Sequence, residues 1–347
     1  MQNYRLALIG FGNVGQGLAQ ILVEKGDWLQ DTYGAAFSIV AVCDMQKGSL
    51  YDPSGLDPAV LLQSVTEKGS LKQIDAPYKN WDALKTIKES SADCVVEISY
   101  TDLATGEPAT SHIKAALTNK KHAVTTNKGP VALHFDELRQ MALSNGVELG
   151  VEGTVMSGTP ALTLGSDTLK AAGLTKIEGI LNGTTNYILT KMAAGSAFSA
   201  VLEEAQELGY AEADPTGDVE GFDAAGKVVI LANLLMDAGI NMADVDRQGI
   251  TSLTLADIQN AKDNNAVWKL IGKVEKNSNG VTASVKPTQI GLDHPLAGVS
   301  GATNAITYTS DLMGKVTLIG AGAGRMETGF ALLSDLLAIH RKVSRQI

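Results

Sequence analysis

Residues 6–22, LALIGFGNVGQGLAQIL, decide the fold. Leu6, Ala7, Leu8 and Ile9 form the unbroken apolar run that a fully buried strand needs. Gly10, Phe11, Gly12, Asn13, Val14 and Gly15 follow at once as a GxGxxG loop. Val14, Leu18, Ile21 and Leu22 then recur at helical spacing. Strand, glycine loop and helix in this order are the context in which the pattern binds a dinucleotide. The glycines permit a tight turn and let a pyrophosphate approach the helix N-terminus. The six residues from Gly10 to Gly15 are therefore candidate cofactor ligands.

Working outward, residues 37–42 predict a second strand, ending at Asp44. A carboxylate there can accept both ribose hydroxyls of NAD and repels the 2′-phosphate of NADP, while Lys47 nearby leaves both cofactors open. A plain turn-forming role is the other reading of Asp44. The interval from Gly15 exceeds the usual ~20 residues, and the polar stretch 25–34 accounts for the excess. Residues 51–79 read as two short helical patterns broken by Pro and Gly. Residues 94–98 predict a further strand, with Ser99 at its ligand-facing end. Residues 123–126 predict another, followed by Asn127, Lys128, Gly129 and Pro130. Open α/β sheets bind ligands beyond the carboxyl ends of their strands, which directs Lys128 into the cofactor crevice; a surface turn is the alternative.

Beyond residue 238 the pattern changes to alternation. Residues 267–274 and 281–290 read as a hairpin, and 305–309 and 315–319 add strands. The run Gly320-Ala321-Gly322-Ala323-Gly324 then leads into a last helix, which makes Gly324 a further cofactor candidate. The expected class is α/β. A Rossmann-type dinucleotide-binding domain covers 1–135, and an α+β substrate and dimerisation domain with a mixed sheet covers 136–310. A strand and helix over 311–347 return to the first domain.

Composition narrows the partners. With 347 residues, 44% hydrophobic and 19% charged, the chain can fill two cores. A net charge of −10 argues against nucleic acid or an anionic membrane surface as partner. No apolar run reaches the length of a membrane span, and the N-terminus enters a strand without a signal pattern. Cys43 and Cys94 read as reduced thiols of a cytoplasmic chain. The five histidines show no metal-ligand spacing.

Residues 205–227, AQELGYAEADPTGDVEGFDAAGK, hold the densest charge. Helix is predicted over 222–238, which sets Asp223 and Lys227 at i and i+4. A half-buried lysine beside a carboxylate can have its proton affinity set for acid catalysis. On spacing alone the stronger reading is an i,i+4 ion pair capping a solvated acidic loop, because such pairs are common.

Together with TNKGPVA at 126–132, GILNGTTNYIL at 179–189 and the GAGAG run, these blocks resemble the homoserine dehydrogenase family over essentially the whole chain. The resemblance implies reversible hydride transfer between NAD(P)H and L-aspartate 4-semialdehyde, giving L-homoserine, in a homodimer. It also implies a short form without the amino-acid-binding domain that regulatory members append. By position it implies Lys227 as proton donor or acceptor, with Lys128 at the nicotinamide and substrate. Glu212 becomes a substrate-binding acid, and Asp218 and Asp223 become acids near the substrate amino group and the lysine. A monovalent cation, Na+ or K+, is implied at Glu152 with the backbone of Val155, Ser157 and Thr159. Met156-Ser157 is bulkier than the Gly- and Ala-rich loop of the family. Two other readings stand beside this one. One is a related nicotinamide-dependent oxidoreductase acting on another amino acid or aldehyde; the other is a nucleotide sensor without turnover.

Overall fold

The apolar run at the N-terminus is the middle strand of a seven-stranded sheet in a computed structural model that describes residues 2–344. β1 (Gln2–Ile9) is followed by α1 (Asn13–Tyr33), β2 (Ala35–Asp44), β3 (Gly48–Tyr51), α2 (Pro58–Lys68) and β4 (Tyr78–Lys79). Then come α3 (Ala83–Glu89), β5 (Cys94–Glu97), α4 (Ala109–Thr118), β6 (His122–Thr125), α5 (Lys128–Asn145) and β7 (Leu149–Gly150). The strand order is β4-β3-β2-β1-β5-β6-β7. The pairs from β2 through β7 are parallel, and β3 and β4 extend one edge antiparallel. From β1 the chain goes to β2 on one side and later to β5 on the other. The order thus reverses beside the carboxyl end of β1, where such sheets bind their ligand.

Alternation along β1 sorts the core. Leu6 and Leu8 join Leu18 of α1 and Leu332 and Leu336 of the C-terminal helix (Arg325–Ser344). Ile9 belongs to the opposite layer, with Ile87, Ile113, Leu117 and Leu138. The C-terminal helix lies against α1 at two glycines. A Cβ on Gly17 would overlap the carbonyl oxygen of Arg325, and one on Gly329 would press on the backbone of Gly17 and Leu18. His340 continues the seam, with Nδ1 3.1 Å from the Tyr4 hydroxyl and Nε2 2.9 Å from the carbonyl oxygen of Tyr33.

The chain divides into two units, one running to Gly158 and resuming at Gly324, the other Thr159–Ala323. This corrects the expected boundary at 135. It falls later because α5 and β7 complete the first sheet and its covering layer. Residues 51–79 contain one helix between two short strand ends, not two helices. The polar stretch 25–34 is the outer end of α1, stopped by Gly34 in the left-handed region.

The second unit begins with α6 (Ala161–Thr163), which runs on through a π turn, Leu164–Leu169, and a 3-10 turn, Lys170–Ala172. β8 (Leu174–Ile180), α7 (Gly183–Ala193), α8 (Phe198–Glu207), α9 (Thr216–Val219), α10 (Phe222–Met236), β9 (Val245–Arg247) and α11 (Leu255–Asp263) follow. β10 (Ala266–Asn277), β11 (Gly280–Gly291), β12 (Thr303–Ser310) and β13 (Gly314–Ala321) complete it. The six strands lie in order β13-β12-β8-β10-β11-β9, antiparallel except for β11 with β9. The expected hairpin is β10–β11, closing at Asn277 and Gly280. The last strand does not return to the first unit as expected. β13 pairs with β12 across a short turn, a local closure that costs less entropy than a long return. Only the helix after Gly324 returns.

α10 is apolar almost all round, and Ala224, Ala225, Val228, Val229, Ile230 and Leu231 are each at most 1% exposed. A helix of that composition is buried on every side. Any charge it carries therefore enters the interior with it. Cys43 and Cys94 are free thiols, both pushed up by burial, Cys43 to about 11. Among the described residues no helix is long and apolar enough to cross a membrane.

Candidate active site

In the first unit the candidate cofactor residues follow the carboxyl ends of β1, β2, β5 and β6. Gly10 has φ 104°, and a Cβ there would overlap the carbonyl oxygen of Ile98, so only glycine lets β1 leave the sheet this way. Gly12 caps α1 with no side-chain bond, which leaves the first N–H groups of the helix to an anion. Asp44 Oδ2 accepts from the Phe11 N–H at 2.8 Å, and Oδ1 accepts from the N–H groups of Gln46 and Lys47 at 3.0 and 2.9 Å. Burial raises the proton affinity of this carboxyl. The three backbone donors and the Lys47 ammonium outweigh burial and hold it below the usual range. Ser99 and Lys128 are half-buried, Lys128 as the first residue of α5. Gly324 sits before the C-terminal helix, its carbonyl accepting from Thr328 N at 3.0 Å.

One residue that sequence reasoning missed ties these ends together. Glu97, fully buried at the end of β5, accepts from Ser99 N at 3.2 Å and from the Ser99 hydroxyl, and faces His112 Nδ1 at 3.3 Å. Thr125 Oγ1 donates to the Glu97 carbonyl at 2.8 Å and accepts from Asn127 N at 2.9 Å. Asn127 Nδ2 donates to the carbonyls of Ser99 and Tyr100 at 3.3 and 2.8 Å. The loops bearing Ser99 and Lys128 thus rest on one hydrogen-bonded joint. The available signal was a carboxylate inside the apolar run 94–98, which cannot stay buried without partners.

Three of the four candidate cation residues, Glu152, Val155 and Ser157, are buried in this unit. Glu152 N donates to Asp335 Oδ2 at 3.0 Å, and the hydroxyls of Ser157 and Thr328 lie 2.7 Å apart. Burial and the neighbouring Glu152 carboxylate push the Asp335 carboxyl well above the usual range. Met156 and Ser157 both take positive φ, 58° and 54°, so the bulkier loop is accommodated in a left-handed backbone. Thr159 belongs to the other unit, where its hydroxyl donates to the Ala321 carbonyl at 3.0 Å.

In the second unit the acidic block closes on Lys227. Its Nζ donates to Asp223 Oδ2 and to the Leu181 carbonyl, each at 2.6 Å. The side chains are 7% and 22% exposed, so this is not the solvated i,i+4 pair that the spacing also allowed. Asn182, the N-cap of α7, donates from Nδ2 to Asp218 Oδ1 at 2.7 Å and to Asp223 Oδ2 at 3.1 Å. Its Oδ1 accepts from the N–H and the hydroxyl of Thr185, both at 2.9 Å. Burial pushes the Asp218 carboxyl up, with the Asp223 charge adding to it; the Asn182 hydrogen bond and the Lys227 charge oppose the rise. Glu212 takes no part in this group. Its side chain is exposed, and its carbonyl accepts from Gln206 Nε2 at 3.0 Å. Asn182 lies within GILNGTTNYIL, and the signal for its role is an Asn placed directly before a helix, where it caps.

Residues 10–152 match the family model described as homoserine dehydrogenase, NAD binding domain, and residues 160–337 match that of homoserine dehydrogenase. The chain belongs to the homoserine dehydrogenase family. An NAD(+)-dependent homoserine dehydrogenase of Pseudomonas canavaninivorans is 48% identical over 349 residues, spanning 100% of this chain and 99% of that protein. The crystal structure of a homoserine dehydrogenase from Thiobacillus denitrificans is similar at a TM-score of 0.86 and 32% identity, covering 99% of this chain and 75% of that one. A hyperthermophilic archaeal homoserine dehydrogenase in complex with NADPH is similar at a TM-score of 0.85 and 29% identity, with 98% of each chain covered. The activity is that of an NAD(P)-dependent homoserine dehydrogenase, an oxidoreductase. An NAD(P)-binding domain is thereby assigned to the segment that begins at Gly10.

Proposed function

We propose that this homoserine dehydrogenase interconverts L-aspartate 4-semialdehyde and L-homoserine, with Lys227 moving the proton. The observation that carries the assignment is a buried ammonium held by Asp223 and the Leu181 carbonyl, with Asp218 joined to the same group through Asn182. Two of the three ammonium donors are engaged within the unit, and the third serves a substrate oxygen. In the reducing direction Lys227 gives its proton to the aldehyde oxygen as that oxygen becomes a hydroxyl. In the oxidising direction the neutral amine takes the hydroxyl proton back. Such general acid–base work is worth ~10²–10⁴-fold in rate. Asp218, and Glu212 on its exposed loop, are proposed to hold the substrate ammonium.

The first unit fits a dinucleotide: glycine at Gly10 where a side chain would overlap, uncapped amides at α1, and an ionised acid at the end of β2. Bound NAD(P) supplies the hydride acceptor or donor at its nicotinamide. Gly10–Gly15 and Gly324 would take the pyrophosphate side and Asp44 the ribose, while Ser99 and Lys128 would flank the nicotinamide. Holding reactants in near-attack geometry can supply up to ~7–11 kcal/mol of barrier reduction.

Asp44 favours NAD over NADP in this reading, because its ionised carboxylate would meet the ribose of a bound cofactor. Asp44→Asn removes the charge and keeps one acceptor oxygen, enough for the Gln46 and Lys47 amides but not also for that of Phe11. It is expected to narrow the ratio of kcat/KM for NAD+ over NADP+ by about tenfold, or ~1.4 kcal/mol. An unchanged ratio would remove Asp44 from cofactor selection.

A cytoplasmic homodimer completes the proposal. Leu312 and Met313 in the β12–β13 turn and Ile319 on edge strand β13 are exposed, apolar surface that a second copy would cover. The deciding assay follows absorbance at the reduced-nicotinamide band with purified protein, L-homoserine and each oxidised cofactor. Running it in sodium, potassium and choline buffers tests a monovalent cation at Glu152, Val155 and Ser157 of the first unit. Turnover of another amino acid but not of homoserine would overturn the substrate assignment.

A further inference from the structure

We propose that Asn182 is a positioning residue that keeps two adjacent carboxylates, Asp218 and Asp223, ionised together and so presents Lys227 and the ammonium-binding acid to the substrate at once. Two carboxylates brought to one point repel, and burial makes each harder to ionise. A lysine alone leaves this group with one excess negative charge. The Asn182 amide supplies what is missing without adding a cation. Each of its two N–H bonds goes to a different carboxylate, at 2.7 Å to Asp218 and 3.1 Å to Asp223. Its oxygen is spent on Thr185, which locks the amide plane through the start of α7. The residue is 5% exposed, so water cannot substitute for its side chain freely. A second lysine here would compete with Lys227 for Asp223; a hydroxyl could donate only one hydrogen bond.

The charged groups that act on Asp218 are Asp223 and Lys227 of α10, and the hydrogen-bonding groups are Asn182 and Thr184. Asn182 is the part of that set that favours the ionised acid without itself titrating. Removing its donors raises the proton affinity of Asp218, so the ionised acid is lost at a higher pH. The acid limb of kcat/KM for reduction of L-aspartate 4-semialdehyde, the direction in which Lys227 acts protonated, then moves up in pH.

Asn182→Asp and Asn182→Ser separate this role from helix capping, since Asp and Ser are both good N-caps. Asp presents a third carboxylate where the donors were. The expected result is an acid limb moved up by about one pH unit or more in Asn182→Asp, and by less in Asn182→Ser, which keeps one donor. In both, NADH affinity is unchanged, because the candidate cofactor residues lie in the first unit. A uniform drop across pH with the limb in place would show a merely structural cap and overturn the inference. Should Asn182→Asp fail to fold, the Asn182→Ser limb decides alone. The inference rests on the roles proposed for Asp218 and Lys227. Undiminished turnover in Lys227→Ala would sink that reading, whereas an inactive Lys227→Ala beside an unmoved Asn182 limb would sink this inference alone.

Discussion

Lys227→Ala is expected to lower kcat by ~10²–10⁴-fold in both directions while leaving the dissociation constant of NAD(H) unchanged. The amine contacts Asp223 and Leu181 of the second unit, whereas the candidate cofactor residues lie in the first. Stopped-flow turnover and fluorescence titration with NADH check the two halves separately. Lys227→Arg refines the test. It keeps a positive charge but cannot shed a proton near neutral pH. Recovery of most of the activity by arginine would show that the site needs only charge at the developing oxyanion. Continued inactivity would show that the proton itself moves through this residue.

Gly17→Ala should destabilise the enzyme, against the ordinary effect of that substitution. Inside a helix, alanine is favoured over glycine by ~0.8–1 kcal/mol. At Gly17 the new methyl would overlap the Arg325 carbonyl, where the C-terminal helix begins against α1. Overpacking of this kind costs ~1–3 kcal/mol, enough to reverse the sign. Gly26→Ala is the control on the same helix, because a Cβ there meets nothing within 4 Å. Calorimetry should find the melting transition of Gly17→Ala lowered, by about 2–4 °C per kcal/mol, and that of Gly26→Ala equal or raised. A Gly17→Ala variant as stable as Gly26→Ala would mean that the two helices do not cross at this point.

Local signals carried most of what was legible. The strand, glycine loop and helix at 6–22 are contiguous, so one window held the whole motif. The β10–β11 hairpin showed because alternation and turn sit side by side. The Asp223–Lys227 pair was visible as spacing, but its burial follows from the apolar surround of α10. Partnerships across long separations were not legible. Glu97 meets His112 at 15 residues and Thr125 at 28, and Asn182 meets Asp218 at 36 and Asp223 at 41. No periodicity encodes those distances. β4 and β7, two residues each, are too short for alternation to register. The last strand was misassigned because its glycine-rich exit repeats the pattern of the first, while the turn back to β12 that decides its sheet has no such mark.

The helix that seals the first core is encoded after the entire second unit. On the ribosome, therefore, the amino-terminal half emerges first yet finishes last. Its apolar layer over Leu6, Leu8 and Leu18 waits for Leu332 and Leu336 while the intervening stretch is translated and folds. Nascent-chain arrest just before codon 325 would catch the first half with that layer uncovered, the interval in which a holdase would find most to bind.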